Sequence, residues 1–282
     1  MTDDRRIKFS VAICVYHKDN PNHFDMALKS VTFDQIVQPD ELVIVADGPL
    51  TPKLDEIIEK YKNSYHNVKV KRLKKNSGHG IARRVSINTC SCEYIALMDA
   101  DDISVPERFK LQTEYLKKYP VDVLGGNIAE FEGNLENISG YRVVPEKEED
   151  ICRYLKKRCP FNQVTVILKK TSVRRVGGYK DWYQNEDYYL WVRMYLEKFV
   201  FANIDKVLVN VRVDNGMIDR RGGIKYFKSE MKLQNYMLKK KIISPLIYME
   251  NVLKRFILQV IMTPKIRGLA YRIFARSHKV VK

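Results

Sequence analysis

The sequence predicts an α/β domain on a mostly parallel sheet, with helices on both faces and a basic helical extension at its C-terminal end. Three observations carry this. Apolar strand-like runs alternate with helical patterns through the first 120 residues. The chain has 282 residues, 45% of them hydrophobic, enough for a sizeable core. The positive charge is gathered near the C-terminal end, where apolar residues recur at helical spacing.

The elements follow in order. "SVAICVY" (10–16) and "ELVIVA" (41–46) read as buried strands, "VKVKRL" (68–73) as a strand with one wet face, and "YIALM" (94–98) as buried again. Helical patterns near 24–33, 51–63, 79–90 and 106–118 separate them, and this β-α order makes parallel neighbours. Ligands of such sheets bind beyond the carboxyl ends of the strands. Those ends carry Tyr16 to Asp19, Asp47-Gly48, Asn76 to Gly80 and Asp99 to Asp102. Farther on, strands are predicted at 121–131, 162–168 and 206–213, with a helix at 187–197. From 224 onward the pattern is helical. Leu246, Met249, Leu253, Phe256 and Val260 form one stripe, with Lys254 and Arg255 off it.

The formal net charge is +16 and the pI about 9.5, which points to an anionic partner. From Arg220 to Lys282 there are sixteen Lys or Arg against two acids, Glu230 and Glu250, so residues 1–219 are near neutral. The tail interleaves charge with an aliphatic face and lacks an aromatic stacking pattern. This favours an anionic membrane surface over nucleic acid, with core packing of 246–261 as the plainer alternative. Five cysteines are few and odd in number. Cys90-Ser-Cys92 is too tight for a structural zinc pair, so free thiols in a reducing cytosol are expected. The N-terminal stretch does not resemble a signal peptide, and no run approaches the roughly 20 apolar residues of a spanning helix. The expected location is cytoplasmic, peripheral on the membrane's inner face.

Chemistry concentrates in three stretches. In "YIALMDADDISVPERF", Asp99, Asp101 and Asp102 follow a buried strand directly. Clustered carboxylates at a strand end suit a hard divalent cation, Mn²⁺ or Mg²⁺, which takes one or two protein oxygens plus phosphate oxygens. A turn and helix cap, with Asp102 or Ser104 capping and Pro106 in the first turn, is compatible with that reading. In "QNEDYYLW", Asn185 is placed to cap a helix opening with Glu186 and Asp187, two acids that a helix dipole alone would favour. In "VDNGMIDRRGG", Arg220 and Arg221 suit a diphosphate, of donor or acceptor, or form an exposed basic turn.

These segments, with "SVAICVYHKD", "DELVIVADGP" and "NSGHGIARRVSIN", resemble in order and nearly throughout the family 2 glycosyltransferases of the GT-A fold, of the capsule, amylovoran and O-antigen type. The resemblance implies an inverting enzyme using a nucleotide-diphosphate sugar, commonly a UDP-sugar, and a divalent metal. It implies a catalytic domain over 1–219, with a nucleotide-binding half (1–120) and an acceptor half (121–219), and an extension over 220–282. It assigns Tyr16, Asp47, Arg83 and Asp99 to the nucleotide and Asp101 to the metal. It makes Asp187 the base and Glu186 the acceptor-positioning acid. Arg84 stands where the family commonly has Asn, so whether Arg83 or Arg84 faces the nucleotide is left open. From the residues alone, Asp47-Gly48 is also a good turn, Tyr16 a packing residue and the two arginines a solvated face. The implied reaction moves a hexose or N-acetylhexosamine to an undecaprenyl-diphosphate-linked oligosaccharide. Two competing readings are a nucleotidyltransferase, which would not need the Glu186–Asp187 pair, and a non-enzymatic membrane- or nucleic-acid-binding protein.

Overall fold

A computed structural model describes residues 6–213 and 222–276. One nine-stranded sheet runs through it. The strands are β1 (Phe9–Val15), β2 (Glu41–Ala46), β3 (Val68–Arg72), β4 (Tyr94–Met98), β5 (Ile103–Ser104), β6 (Val123–Phe131), β7 (Ile138–Arg142), β8 (Ile167–Lys169) and β9 (Phe201–Arg212). Their order is β3-β2-β1-β4-β8-β6-β9-β5, with β7 also pairing with β6. The helices are α1 (Pro21–Ser30), α2 (Pro52–Ser64), α3 (His79–Thr89), α4 (Arg108–Lys118), α5 (Glu148–Leu155), α6 (Lys170–Arg175), α7 (Glu186–Leu196), α8 (Ile224–Lys239), α9 (Pro245–Phe256) and α10 (Pro264–Ala275). A π-helical turn, Ile257–Ile261, joins the last two.

The expectation of a mostly parallel sheet holds for the first half, where β3, β2, β1 and β4 are all parallel. The second half is mixed. β8 runs antiparallel to β4 and β6, β7 antiparallel to β6 and β5 antiparallel to β9, while β6 and β9 are parallel. Helical crossovers enforce parallel pairing only where a helix separates consecutive strands. The short β6–β7 connection permits a hairpin instead. The predicted strand over 162–168 is a 3-10 turn, Gln163–Thr165, followed by the three residues of β8.

Side-chain alternation explains why the first half reads as unbroken apolar runs. Val11, Ile13, Leu42, Ile44, Ala96 and Met98 face α1, α2 and α4 through Phe24, Leu28, Leu54, Ile58 and Phe109. Their neighbours in sequence, Ala12, Val43, Val45, Ile95 and Leu97, face the other layer, built by α3, α7 and α8 with Ala82, Ile87, Trp191, Met194 and Leu233. Both faces are buried, so no polar alternation survives. Each large side chain such as Trp191 or Phe109, both fully buried, contributes about 1.5–3 kcal/mol. This rigid stack fixes the carboxyl ends of β1, β2 and β4 side by side.

Candidate active site

The connection after β2 is set by Asp47 and Gly48. Gly48 has φ +93°, and a Cβ there would stand 2.6 Å from the Asn76 backbone nitrogen. Only glycine lets the two loops approach so closely. The Asp47 carboxylate, itself buried, accepts from the Ser77 amide at 2.6 Å and the Gly78 amide at 3.0 Å. Asp47 therefore holds the loop that launches α3, as the turn reading expects. Beside it, the Tyr16 amide donates to Asp19 Oδ2 at 2.8 Å, and the Tyr16 ring lies edge-on to His17.

α3 then delivers Arg83. Its guanidinium donates to Asp99 Oδ1 at 2.8 Å and to Glu186 Oε1 at 2.7 Å. Arg84, the next residue, is exposed and lines a small cavity of about 160 Å³ with Asn88, Arg174, Gly177 and Gly178. Of the two arginines, Arg83 is the one that meets the strand-end carboxylates. Burial opposes the charged form of Asp99, but Arg83 outweighs it and holds the carboxyl below the usual aspartate range.

The other acids of this end behave differently. Asp102 is buried, and burial followed by the charges of Asp101 and Asp99 pushes it well above the ordinary range. Asp19 is pushed up to about 7 by burial, with Asp101 and Asp99 adding to the rise. Asp101 is exposed. The predicted capping does not occur. Asp102 Oδ1 accepts from the Arg212 amide of β9 at 2.9 Å, Ser104 Oγ meets Gln35 Nε2 at 3.2 Å, and the α4 N-terminus has no side-chain cap. The β4–α4 connection is held by tertiary contacts that a local cap rule does not see. Two groups here had no assigned part in the sequence reading. One is Asp19. The other is Arg108, fully buried behind β4, where it donates to the Leu97 carbonyl at 2.8 Å. Burial lowers Arg108 to about 9 while Asp99 works the other way.

Among the described residues no group of three His, Cys, Asp or Glu side chains is arranged to ligate a metal. The donor set fits a hard divalent ion held through one or two carboxylates and completed by phosphate oxygens. Four acids crowd one mouth, and two of them, Asp19 and Asp102, are pushed up by burial first and by their neighbours' charge second, so a cation there would relieve the repulsion.

α7 brings the second acidic pair. Asn185 sits at its N-cap position but makes no capping bond; its amide donates to Ser229 Oγ at 3.2 Å, tying α7 to α8. Glu186 is buried against Arg83. Asp187 Oδ1 accepts from the Tyr188 amide at 2.6 Å, and the Cys159 thiol lies 3.8 Å from Oδ2. The Gln163 amide, in the orientation that satisfies both neighbours, donates to Asp187 Oδ2 at 3.2 Å and accepts from Arg83 Nε at 2.7 Å. Burial first, and the Glu186 charge second, push Asp187 up to about 6, against the Tyr188 hydrogen bond and the Arg83 and Arg142 charges. A helix start should depress a carboxylate; here desolvation and a like charge overcome it. Gln163 and Cys159 carried no motif signal, because their role depends on a loop folding back across the sheet. Arg220 and Arg221 lie outside the described residues.

The site thus joins two acidic clusters through one guanidinium. A family model for glycosyl transferase family 2 matches residues 10–182. The chain is 35% identical over 273 residues to a UDP-Gal:alpha-D-GlcNAc-diphosphoundecaprenol beta-1,3-galactosyltransferase of Escherichia coli, covering 96% of this chain and 98% of that one. It is 34% identical over 225 residues to the amylovoran biosynthesis glycosyltransferase AmsE of Erwinia amylovora, covering 80% and 84%. In fold it is similar to S. aureus TarS 1–349 solved with UDP-GlcNAc, at a TM-score of 0.67 and 20% identity, covering 96% of this chain and 76% of that one. With the motif order, the GT-A sheet and the carboxylates at its strand ends, these similarities make the chain a member of glycosyltransferase family 2, of the capsule, amylovoran and O-antigen type.

Proposed function

We propose that the chain transfers a hexose or N-acetylhexosamine, with inversion, from a UDP-sugar to an undecaprenyl-diphosphate-linked oligosaccharide at the inner face of the cytoplasmic membrane. The observation that carries this is the Asp99–Arg83–Glu186 bridge, which stands Asp187, with a proton affinity near neutrality, beside the donor-end carboxylates. The galactosyltransferase that matches over nearly the whole length of both chains supports the donor and acceptor classes.

Tyr16, Asp47, Arg83 and Asp99 line the nucleotide end. Asp101, with Asp99 beside it, would hold a divalent ion whose charge offsets that developing on the leaving diphosphate. Asp187 accepts the proton of the acceptor hydroxyl as that oxygen attacks the anomeric carbon. A base near pH 6 is ionised at neutral pH yet still basic enough to take the proton. Glu186, held by Arg83, positions the acceptor and raises its neighbour's proton affinity. Gln163 keeps Asp187 oriented.

The test is a transfer assay with UDP-galactose and other UDP-sugars, a GlcNAc-diphosphate-lipid acceptor and Mn²⁺, with the product's anomeric configuration read by NMR. A β-linked product from the α-linked donor is expected. An α-linked product, or transfer of a nucleotidyl group with pyrophosphate release, overturns the reading.

A further inference from the structure

The stripe Leu246, Met249, Leu253, Phe256, Val260 reads in the sequence as a face for an anionic membrane surface, with core packing as the plainer alternative. The structure turns most of it away from the core. Leu246 is 78% exposed, Met249 68% and Leu253 59%; the face continues through Ile261 at 61% and, on α10, Ile266 at 54% and Leu269 at 59%. What faces the protein is Ile247 and Tyr248, half-buried on the core, and a set of polar groups. Asn251, 2% exposed, donates to the Lys156 carbonyl and to Gln234 Oε1, both at 2.9 Å. Arg255 Nε donates to the buried Glu230 at 2.5 Å and its Nη2 to the Lys157 carbonyl at 2.9 Å. Gln259 is buried, and its carbonyl accepts from the Gly223 amide at 2.8 Å. The helix is docked by hydrogen bonds and an ion pair as well as by Ile247 and Tyr248, and shows a second, larger apolar side to the outside. A free surface does not explain that arrangement, because desolvating polar groups while leaving six large apolar residues in water costs free energy at both faces.

We propose that the apolar face of α9, the π turn and α10 is the surface on which the enzyme lies in an anionic bilayer, its side chains inserted among the acyl chains and its lysines at the headgroups. Charge favours a lipid surface over a second copy of the chain. Lys239, Lys240 and Lys241 are exposed just before α9 in the chain and Lys265 is exposed on α10, Glu230 is buried with Arg255, and Glu250 is paired with Lys254. A copy of the same patch would bring like charges together; an anionic leaflet does not. The position fits as well. Arg276, which follows α10, pairs with Glu130 on β6 at 2.6 and 2.5 Å, and the adjacent Phe131 is in register with Arg212, whose amide holds Asp102. The docking layer is therefore fastened to the rim that carries the donor-end acids.

Two of the basic residues of this region are already engaged within the fold. Arg276 is taken up by Glu130, and Arg267 is 4% exposed, seated over Gly222. Insertion by the apolar face leads, and the flanking lysines add to it. The choice of lipid rests on the lipid-linked-acceptor reading only as supporting context.

The experiment is flotation of the full chain with phosphatidylglycerol/phosphatidylethanolamine vesicles and with phosphatidylcholine vesicles, at low and high salt, without sugar nucleotide or acceptor. Wild type is expected to float with the anionic vesicles and to keep a salt-resistant fraction. Met249→Gln with Leu253→Gln should lower the partition coefficient on the order of a hundredfold. The same variant should melt within a degree or so of wild type, as exposed positions require, and transfer normally to a short-chain soluble acceptor. Undiminished flotation of the variant overturns the proposal. So does a wild-type chain that ignores vesicles, including one that is a dimer in solution and that the substitutions render monomeric. Because no substrate is present in the flotation, its failure is separate from failure of the transferase reading, which the soluble-acceptor assay reports.

Discussion

The two acidic clusters look alike in sequence and behave oppositely in the fold. Asp99 and Asp187 each sit beside further carboxylates at the junction of a loop and a regular element, and each touches the sphere of Arg83. Asp99 receives the guanidinium directly, at 2.8 Å, and is held below the ordinary range. Asp187 receives it only at a distance, because Arg83 bonds Asp99 and Glu186, and burial then raises it to about 6. One cation, bonded unevenly, leaves one carboxyl below its ordinary range and the other above it. The difference is therefore a matter of which oxygen is in contact, not of residue type.

The largest effect should come from removing Asp101, the acid of the first cluster that we propose holds the cation. Asp101→Ala is expected to abolish turnover and metal-dependent UDP binding, measured by titration with and without Mn²⁺. Wild type should be inactive in excess EDTA and recover on addition of Mn²⁺ or Mg²⁺. Full activity of the wild type in metal-free buffer would sink the role given to the first cluster.

Removing the proton acceptor of the second cluster should cost less in binding and much in rate. Asp187→Asn is expected to bind UDP normally and to transfer about 10²–10⁴-fold more slowly. The kcat/KM of the wild type should fall on the acid side with a limb near the value of about 6 to which Asp187 is raised. If Asp187→Asn transfers at the wild-type rate while Glu186→Gln is dead, the roles within the pair are reversed.

Most of the donor half was legible because each of its signals is local. Strands β1 to β4 are apolar runs bounded by turn residues, and their ends are marked by Asp47-Gly48 and by Asp99 to Asp102. The motif resemblance placed Arg83 and the Glu186–Asp187 pair in one site, and the bridge at 2.7 and 2.8 Å brings them together. What stayed hidden is non-local. The turn over 163–165 read as strand because "QVTVIL" is β-branched and apolar, although only Ile167–Lys169 finds a ladder partner. Arg108 carries no local signal: nothing in its sequence neighbourhood says that it will be fully buried behind β4. The stripe from Leu246 was legible as an apolar face, but periodicity does not say what covers such a face, and only the fold shows it turned from the core.

The smallest effect expected is the one that separates the two clusters most cleanly. Asp187 has an ordinary value near 3.8 when unfolded and about 6 when folded. The folded chain therefore binds this proton more tightly between about pH 4 and 6. Above pH 6 the group is ionised in both states, and the folded one bears the full cost of a buried charge beside Glu186. As pH falls through 6 toward 4 that cost is relieved, so this residue's contribution to stability improves on acidification. Asp187→Asn carries no such cost and keeps an oxygen to accept from the Tyr188 amide. Allowing for partial solvent access, it should be more stable than wild type by about 1–2 kcal/mol at pH 8. The gap should close by about pH 4, where both proteins are neutral at this position. Groups remote from Asp187 titrate alike in the two proteins, so the difference in melting temperature across that range reports Asp187 together with the neighbours that feel its charge. The corresponding change at the first cluster has the opposite sign, because Asp99→Asn gives up an ionised partner of Arg83 and should lose stability at pH 8. Melting curves of the two variants that move in the same direction would show that Arg83 is not divided between the clusters in the way the distances indicate.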